Sequence, residues 1–144
     1  MFVKIARTPE ERNDAYYVRR TVFVDEQHVP AEAEIDQFEE DAVHFVLYNE
    51  QEQPIGAGRY RIVDGIAKAE RICVLANGRG KGSGALIMKA IEQDAAERHV
   101  SQIKLSSQVH AIPFYERLGY HTISEEYMDQ NIPHKTMIKD LPHT

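Results

Sequence analysis

Apolar positions along this chain change their period several times, and each change marks a predicted element. Phe2, Val3 and Ile5 predict a short opening strand. Thr8-Pro9-Glu10-Glu11 reads as a helix start: the threonine can cap, proline suits the first helical position, and Glu11 completes a capping box. Ala15, Val18, Val22 and Phe23 carry that helix inward to about residue 23, and Pro30 bars it from running far beyond. Residues 42–48 are apolar on both faces apart from His44, the pattern of a strand inside a sheet. A polar turn over 49–54 leads to a strand over 55–63, and the two-residue hairpin signal Asp64-Gly65 turns it into another over 66–74. A helical stripe of Leu86, Ile87, Ala90, Ile91 and Ala95 follows and ends near His99. Ile103 and Leu105 start a strand that a crossover helix of this length sets parallel to 66–74. A short helix within 108–120, with Gly119 suited to its left-handed C-terminal position, comes next. Residues 120–123 and 136–138 then supply a closing antiparallel hairpin across a long acidic connection.

The stretch around which this pattern turns is Arg79-Gly80-Lys81-Gly82-Ser83-Gly84, between the strand over 66–74 and the helix after it. A glycine-rich loop that enters a helix directly leaves backbone N–H groups unpaired at the helix's positive end, which makes an anion site. Arg79 and Lys81 add charge, so a phosphate or pyrophosphate is the natural guest. A P-loop is excluded, because Ser83 falls where its second glycine belongs and Lys81 is followed by Gly82. The dinucleotide fingerprint fits formally through Gly80, Gly82 and Ala85, but no carboxylate stands near Lys104-Leu105-Ser106-Ser107 to hold a ribose.

Composition narrows the function. The chain of 144 residues is 42% apolar, enough to bury the core of one domain spanning 1–144. Its net charge of −6 argues against nucleic acid as a partner. The single cysteine, Cys73, permits no internal disulfide, and no apolar run suits a signal peptide or membrane span, so a cytoplasmic location with no membrane partner is expected. No His or Cys spacing suits a metal. Carboxylates crowd residues 25–41 and allow two readings: a solvated helix and loop, or a rim for a cationic substrate that would include Glu26 and Asp36.

Residues 79–84 also satisfy Arg/Gln-x-x-Gly-x-Gly/Ala, and here the chain resembles the GNAT superfamily of acyl-CoA-dependent N-acyltransferases. A second GNAT signature lies in Ala111, Tyr115, Glu116, Arg117, Leu118, Gly119 and Tyr120, with Gln108 where the family carries asparagine. The run Val-Phe-Val-Asp-Glu-Gln over 22–27 is most similar to small bacterial YjcF-like and ElaA-like members. The resemblance implies an α/β fold with a mixed, mostly antiparallel sheet of six or seven strands and about four helices. It implies acetyl-CoA as cosubstrate and leaves the acceptor open among a sugar amine, a polyamine, an aminoglycoside and a protein amine; the carboxylates of residues 25–41 favour a small-molecule amine, such as an amino sugar or polyamine. A homodimer is common among such proteins.

In that family the loop Arg79, Gly80, Lys81, Gly82, Ser83 and Gly84 holds the coenzyme's pyrophosphate, and backbone groups of Ile72, Cys73 or Val74 face the thioester arm. Gln108 would contact the coenzyme, and Tyr115 would protonate the leaving sulfur. Glu70 occupies the place of a catalytic base, with His44, His110 and His134 as alternatives; His44 and His134 are also candidate acceptor contacts. A fold that binds coenzyme A as a sensor or interaction module without turnover, or a protein N-acetyltransferase, is the rival reading.

Overall fold

The computed structural model describes residues 1–142. Strand β1 (Phe2–Ile5) leads to helix α1 (Pro9–Arg19), which starts as its sequence predicts: Thr8 Oγ1 accepts from the Glu11 N–H at 3.1 Å, and Glu11 Oε1 accepts from the Thr8 N–H at 3.1 Å. The α-helix does not continue to residue 23 as expected. From Arg20–Glu26 the coil widens to a π-helical form, with the Gln27 N–H bonded to the Val22 carbonyl five residues back. Val18 and Val22 are buried as expected, while the extra residue re-phases the end of the segment.

A single turn, α2 (Ala31–Glu34), precedes β2 (Val43–Tyr48), β3 (Pro54–Val63) and β4 (Ile66–Val74), an antiparallel meander. Asp64 and Gly65, at φ 52° and 79°, make the tight turn between β3 and β4. Helix α3 (Ser83–Glu97) crosses back over the sheet to β5 (Gln102–Gln108), which runs parallel to β4. Its stripe differs from the one predicted: Ile87, Met88, Ile91 and Ala95 are buried, and Leu86 is exposed. A 3-10 turn at Val109–Ala111 and helix α4 (Ile112–Arg117) follow, ended by Gly119 at φ 98°.

Strands β6 (His121–Thr122), β7 (Tyr127–Asp129) and β8 (Ile132–Asp140) complete one sheet in the order β1-β2-β3-β4-β5-β8-β6, with β7 also on β8. The sheet therefore has eight strands rather than six or seven. The eighth, β7, lies in the connection between residues 123 and 136, where Gln130 and Asn131 take left-handed φ values of 50° and 63° and fold it onto β8. No helix among the described residues is long and apolar enough to cross a membrane.

Two departures from a regular sheet build the site. Parallel pairing between β4 and β5 is limited to Ala67–Ile103, Lys68–Lys104 and Ala69–Leu105, and beyond it the two strands part. Between β3 and β4, Ala57 faces Cys73 but Arg59 faces Glu70, so Arg71 and Ile72 together oppose Gly58, a β-bulge. Glycine is required at 58, since a Cβ there would lie 2.7 Å from Ile72 Cδ1 and 2.9 Å from Ile87 Cγ2.

Candidate active site

The opening between β4 and β5 is a cleft of about 490 Å³. Glu70, Ile72, Cys73 and Val74 line it from β4, Ser107 and Gln108 from β5, and Tyr115 from α4. The end of the π-helical segment adds Glu26 and Gln27, and the β7–β8 hairpin adds Asp129, Gln130 and His134. Strand alternation tells which backbone groups face it. The Leu75 N–H donates to the Ile55 carbonyl at 2.8 Å on the β3 side, so the amide edges of Val74 and Ile72 face the other way, toward β5. The Val74 carbonyl accordingly accepts from Arg79 Nε at 2.9 Å on that edge.

At the loop, Gly80 and Gly82 take φ values of 76° and 79°, and a Cβ at either would meet no atom within 4 Å. Gly82 is the residue from which α3 departs, so the first amides of this 15-residue helix open onto the loop. Ser83 Oγ is turned inward and donates to the Gly78 carbonyl at 2.6 Å, which makes it a brace of the loop. Gly84 serves close packing, because a Cβ there would come within 2.9 Å of Phe114 Cζ. Arg79 reaches across the cleft mouth, where Nη2 lies 2.7 Å from Glu26 Oε2. The backbone cradle at the helix N-terminus fits a pyrophosphate and the parted strands fit an extended arm, although of the loop only Arg79 lines the cleft, and Lys81 lines a separate depression with Met1, Asn49 and Asn77.

Tyr115 is 8% exposed, packed edge-on against Phe114 and Tyr120 at ring separations of 4.9 and 5.8 Å. Burial, with the neighbouring Cys73 acting in the same direction, pushes its phenol above the ordinary value, so it keeps its proton. Burial likewise pushes the Cys73 thiol up to about 12, which makes it a poor nucleophile. Gln108 Nε2 donates to Gln27 Oε1 at 2.8 Å, and Gln108 Oε1 lies 2.7 Å from His110 Nε2.

Three of the carboxylates between 25 and 41, Glu34, Asp36 and Glu39, turn to buried arginines, while Asp25, Glu26, Glu32, Glu40 and Asp41 are exposed. Arg19 bonds Glu34 at 3.0 Å and Glu39 at 2.7 Å; Arg59 bonds Asp36 at 2.6 Å, Glu39 at 2.7 Å and Glu70 at 3.1 Å. Asp36 and His44, expected to touch the acceptor, are not among the residues lining the cleft. Asp36 is held by Arg59 and Arg71, and His44 is buried on β2 with Nε2 2.8 Å from the Glu39 carbonyl. Burial is the main reason that His44 titrates below its ordinary value. Glu26 does line the cleft, bound to Arg79.

Glu70 also lines the cleft, but Arg61 Nε lies 2.9 Å from its Oε1 and Lys68 Nζ lies 3.6 Å from its Oε2. Burial alone would raise its carboxyl; the Arg61 hydrogen bond and the charges of Arg59, Arg61 and Lys68 outweigh it and hold the group below its ordinary value, a weak base. His134 is placed differently. Its Nδ1 lies 2.6 Å from the Ile132 carbonyl, which can only accept, so Nδ1 carries the proton and the neutral ring keeps its lone pair on Nε2. Arg71 and Gly58 were not singled out in the sequence; the glycine pair at 56 and 58 inside the predicted strand was the available signal.

A mixed sheet parted at β4 and β5, a bulged β4 and a glycine loop opening α3 define an acyl-coenzyme A transferase architecture, and residues 7–141 match the Acetyltransferase (GNAT) domain family. The chain belongs to that family and is an acetyltransferase. It is 50% identical over 137 residues to the uncharacterized N-acetyltransferase YjcF of Bacillus subtilis (strain 168), covering 94% of this chain and 97% of that protein. Among solved structures it is similar to an acyl-CoA N-acyltransferase from Pseudomonas aeruginosa, with 26% identity, a TM-score of 0.83, and 95% and 96% of the two chains covered. It also shares the fold of Escherichia coli ElaA, with 23% identity, a TM-score of 0.80, and coverage of 92% and 91%.

Proposed function

We propose that this protein transfers an acetyl group from acetyl-CoA to the primary amine of a small molecule, directly and within a ternary complex. The observation that carries the reading is the cleft itself: the β4 edge freed by the parted strands and a protonated Tyr115 line one opening whose volume suits a small-molecule site, and Arg79, the first residue of the glycine loop, lies in its lining. Bound acetyl-CoA supplies the activated thioester. The chain's residues then have four tasks. The loop from Arg79 to Gly84 holds the pyrophosphate, and the Ile72 and Val74 amide edges orient the arm and its carbonyl oxygen. His134 Nε2 accepts the proton that the amine loses as its nitrogen bonds the acyl carbon. Tyr115 gives its hydroxyl proton to the sulfur as the carbon–sulfur bond breaks, and is reprotonated from solvent.

With Asp36 held by Arg59 and Arg71 outside the cleft lining, the acceptor end is walled by Asp129, Gln130 and His134 together with Lys68. Incubation with acetyl-CoA and a panel of small amines, with free thiol as the readout, tests the reading; thiol release that no amine stimulates would sink it.

Two variants separate the roles. His134→Gln keeps a polar side chain and removes the base, and is expected to lower kcat/KM on the order of 10²- to 10⁴-fold. Turnover intact in His134→Gln and lost in Glu70→Gln would return the role to Glu70. Gly82→Val is expected to eliminate acetyl-CoA binding in titration calorimetry. Because no protein atom lies within 4 Å of a Cβ at 82, the folded chain bears only the left-handed strain, about 1–2 kcal/mol. Unchanged affinity in a folded Gly82→Val protein would refute the cradle.

A further inference from the structure

Arg71 holds a φ of 61° inside β4, a region that a residue with a Cβ occupies only against strain. Bulges with a left-handed residue ordinarily use glycine there. Here the side chain explains the exception. Arg71 Nε lies 2.9 Å from Glu34 Oε2 and 3.2 Å from the Glu34 carbonyl, while Nη2 lies 3.2 Å from that carbonyl and 3.3 Å from Asp36 Oδ2. Glu34 and Asp36 are in turn fixed by the buried guanidiniums of Arg19 and Arg59. The acidic segment before β2 thus grips one backbone turn of β4.

That turn decides which amides meet the cleft. Above the bulge, Leu75 and Cys73 share the β3 side, where Cys73 faces Ala57 and the Leu75 N–H bonds Ile55, which leaves Ile72 and Val74 to the β5 side. If the extra residue were lost from the bulge, pairing would slip by one and every edge above it would exchange. We propose that Arg71 is a positioning residue for acyl transfer: the clamp of Glu34 and Asp36 on its guanidinium holds the left-handed turn that presents the Ile72 and Val74 amide edges to the cleft. The catalytic part of this inference rests on the acetyl-transfer reading above; the conformational part does not.

Two variants of the full chain distinguish conformation from charge. Arg71→Ala removes the clamp and keeps a Cβ, whereas Arg71→Gly removes the clamp and adopts positive φ without strain. The first readout needs no coenzyme: cross-strand NOEs in the unliganded proteins, which in the parent connect Gly58 with both residue 71 and Ile72. Arg71→Gly is expected to keep that pattern and Arg71→Ala to lose it. The second is steady-state kinetics with kcat and KM separated, alongside the melting temperature. A displaced amide edge is expected to lower kcat on the order of 100-fold in Arg71→Ala, and glycine to recover it to within about tenfold of the parent. KM for acetyl-CoA should change less than kcat.

Equal loss of kcat in both variants would mean that the charge itself acts and would overturn the proposal. So would a lowered melting temperature with kcat intact in Arg71→Ala, the mark of a merely structural role. If the parent releases no thiol with any amine, the acetyl-transfer reading fails by itself. The NOEs then decide the clamp alone, and a parent-like pattern in Arg71→Ala overturns it.

Discussion

Tyr115→Phe is expected to fold like the parent and to lose turnover on the order of 10²- to 10⁴-fold, the usual worth of a positioned acid. The substitution is clean in this setting. The ring keeps its edge-on contacts with Phe114 and Tyr120, and no hydrogen bond from the hydroxyl to another described residue is broken. Burial raises the phenol's pKa, so the lost oxygen is a proton donor throughout the neutral range. Stability within about 0.5 kcal/mol of the parent and unchanged coenzyme A affinity would locate the loss in chemistry. Full activity in Tyr115→Phe, with an amine for which chemistry limits the rate, would exclude the role.

The largest loss of stability is expected from Arg59→Met. Arg59 is 0% exposed and is shared by Asp36, Glu39 and Glu70, so its removal leaves three carboxylates around a buried void of charge. Breaking a buried pair in this way costs about 3–5 kcal/mol, a large part of a domain's total. Urea denaturation at neutral pH measures it.

The pH dependence supplies a second check. Burial alone would raise Glu39, but hydrogen bonds from Arg19 and Arg59 and the charge of Arg19 bring it from 4.5 down to about 2. A depressed folded-state value stabilises above the unfolded value and loses that contribution as pH falls through the folded one. The parent should therefore weaken between about pH 4.5 and 2 as Glu39 and its neighbours protonate. In Arg59→Met the abandoned carboxylates take up protons more readily, so the variant's deficit should shrink across that window. A deficit of equal size at pH 7 and pH 3 would contradict this account.

What the sequence made legible was local. The capping box at Thr8, the Asp64-Gly65 turn, Gly119 at the end of α4 and the loop into α3 each rest on backbone chemistry confined to a few neighbours, and each appears at the residues that predict it. The parting of β4 from β5 was not legible, because no residue type advertises an absent hydrogen bond. The partners of Asp36 and His44 were beyond reach for a different reason. A carboxylate facing water and one facing a buried arginine look alike along the chain, and Asp36 meets Arg59 across 23 positions of sequence. Strand β7 was hidden by its length of three residues, and the π-helical segment by apolar spacing that an α-helix would also satisfy.

Strand β8 has β5 along one side for most of its length, but on the other it is divided: β7 takes residues 132–134, and β6 takes 137 and 138. The two short strands grip separate rungs, so the segment between them can lengthen, shorten or change composition without unfastening the edge that closes the sheet. The β7–β8 hairpin beside it carries Asp129 and Gln130 to the cleft, whereas β4 lies two places from β8 in the sheet. Insertions and deletions over residues 123–126 are therefore tolerable to the fold, and through the adjoining hairpin they shift one wall of its opening while β4 and β5 keep their places.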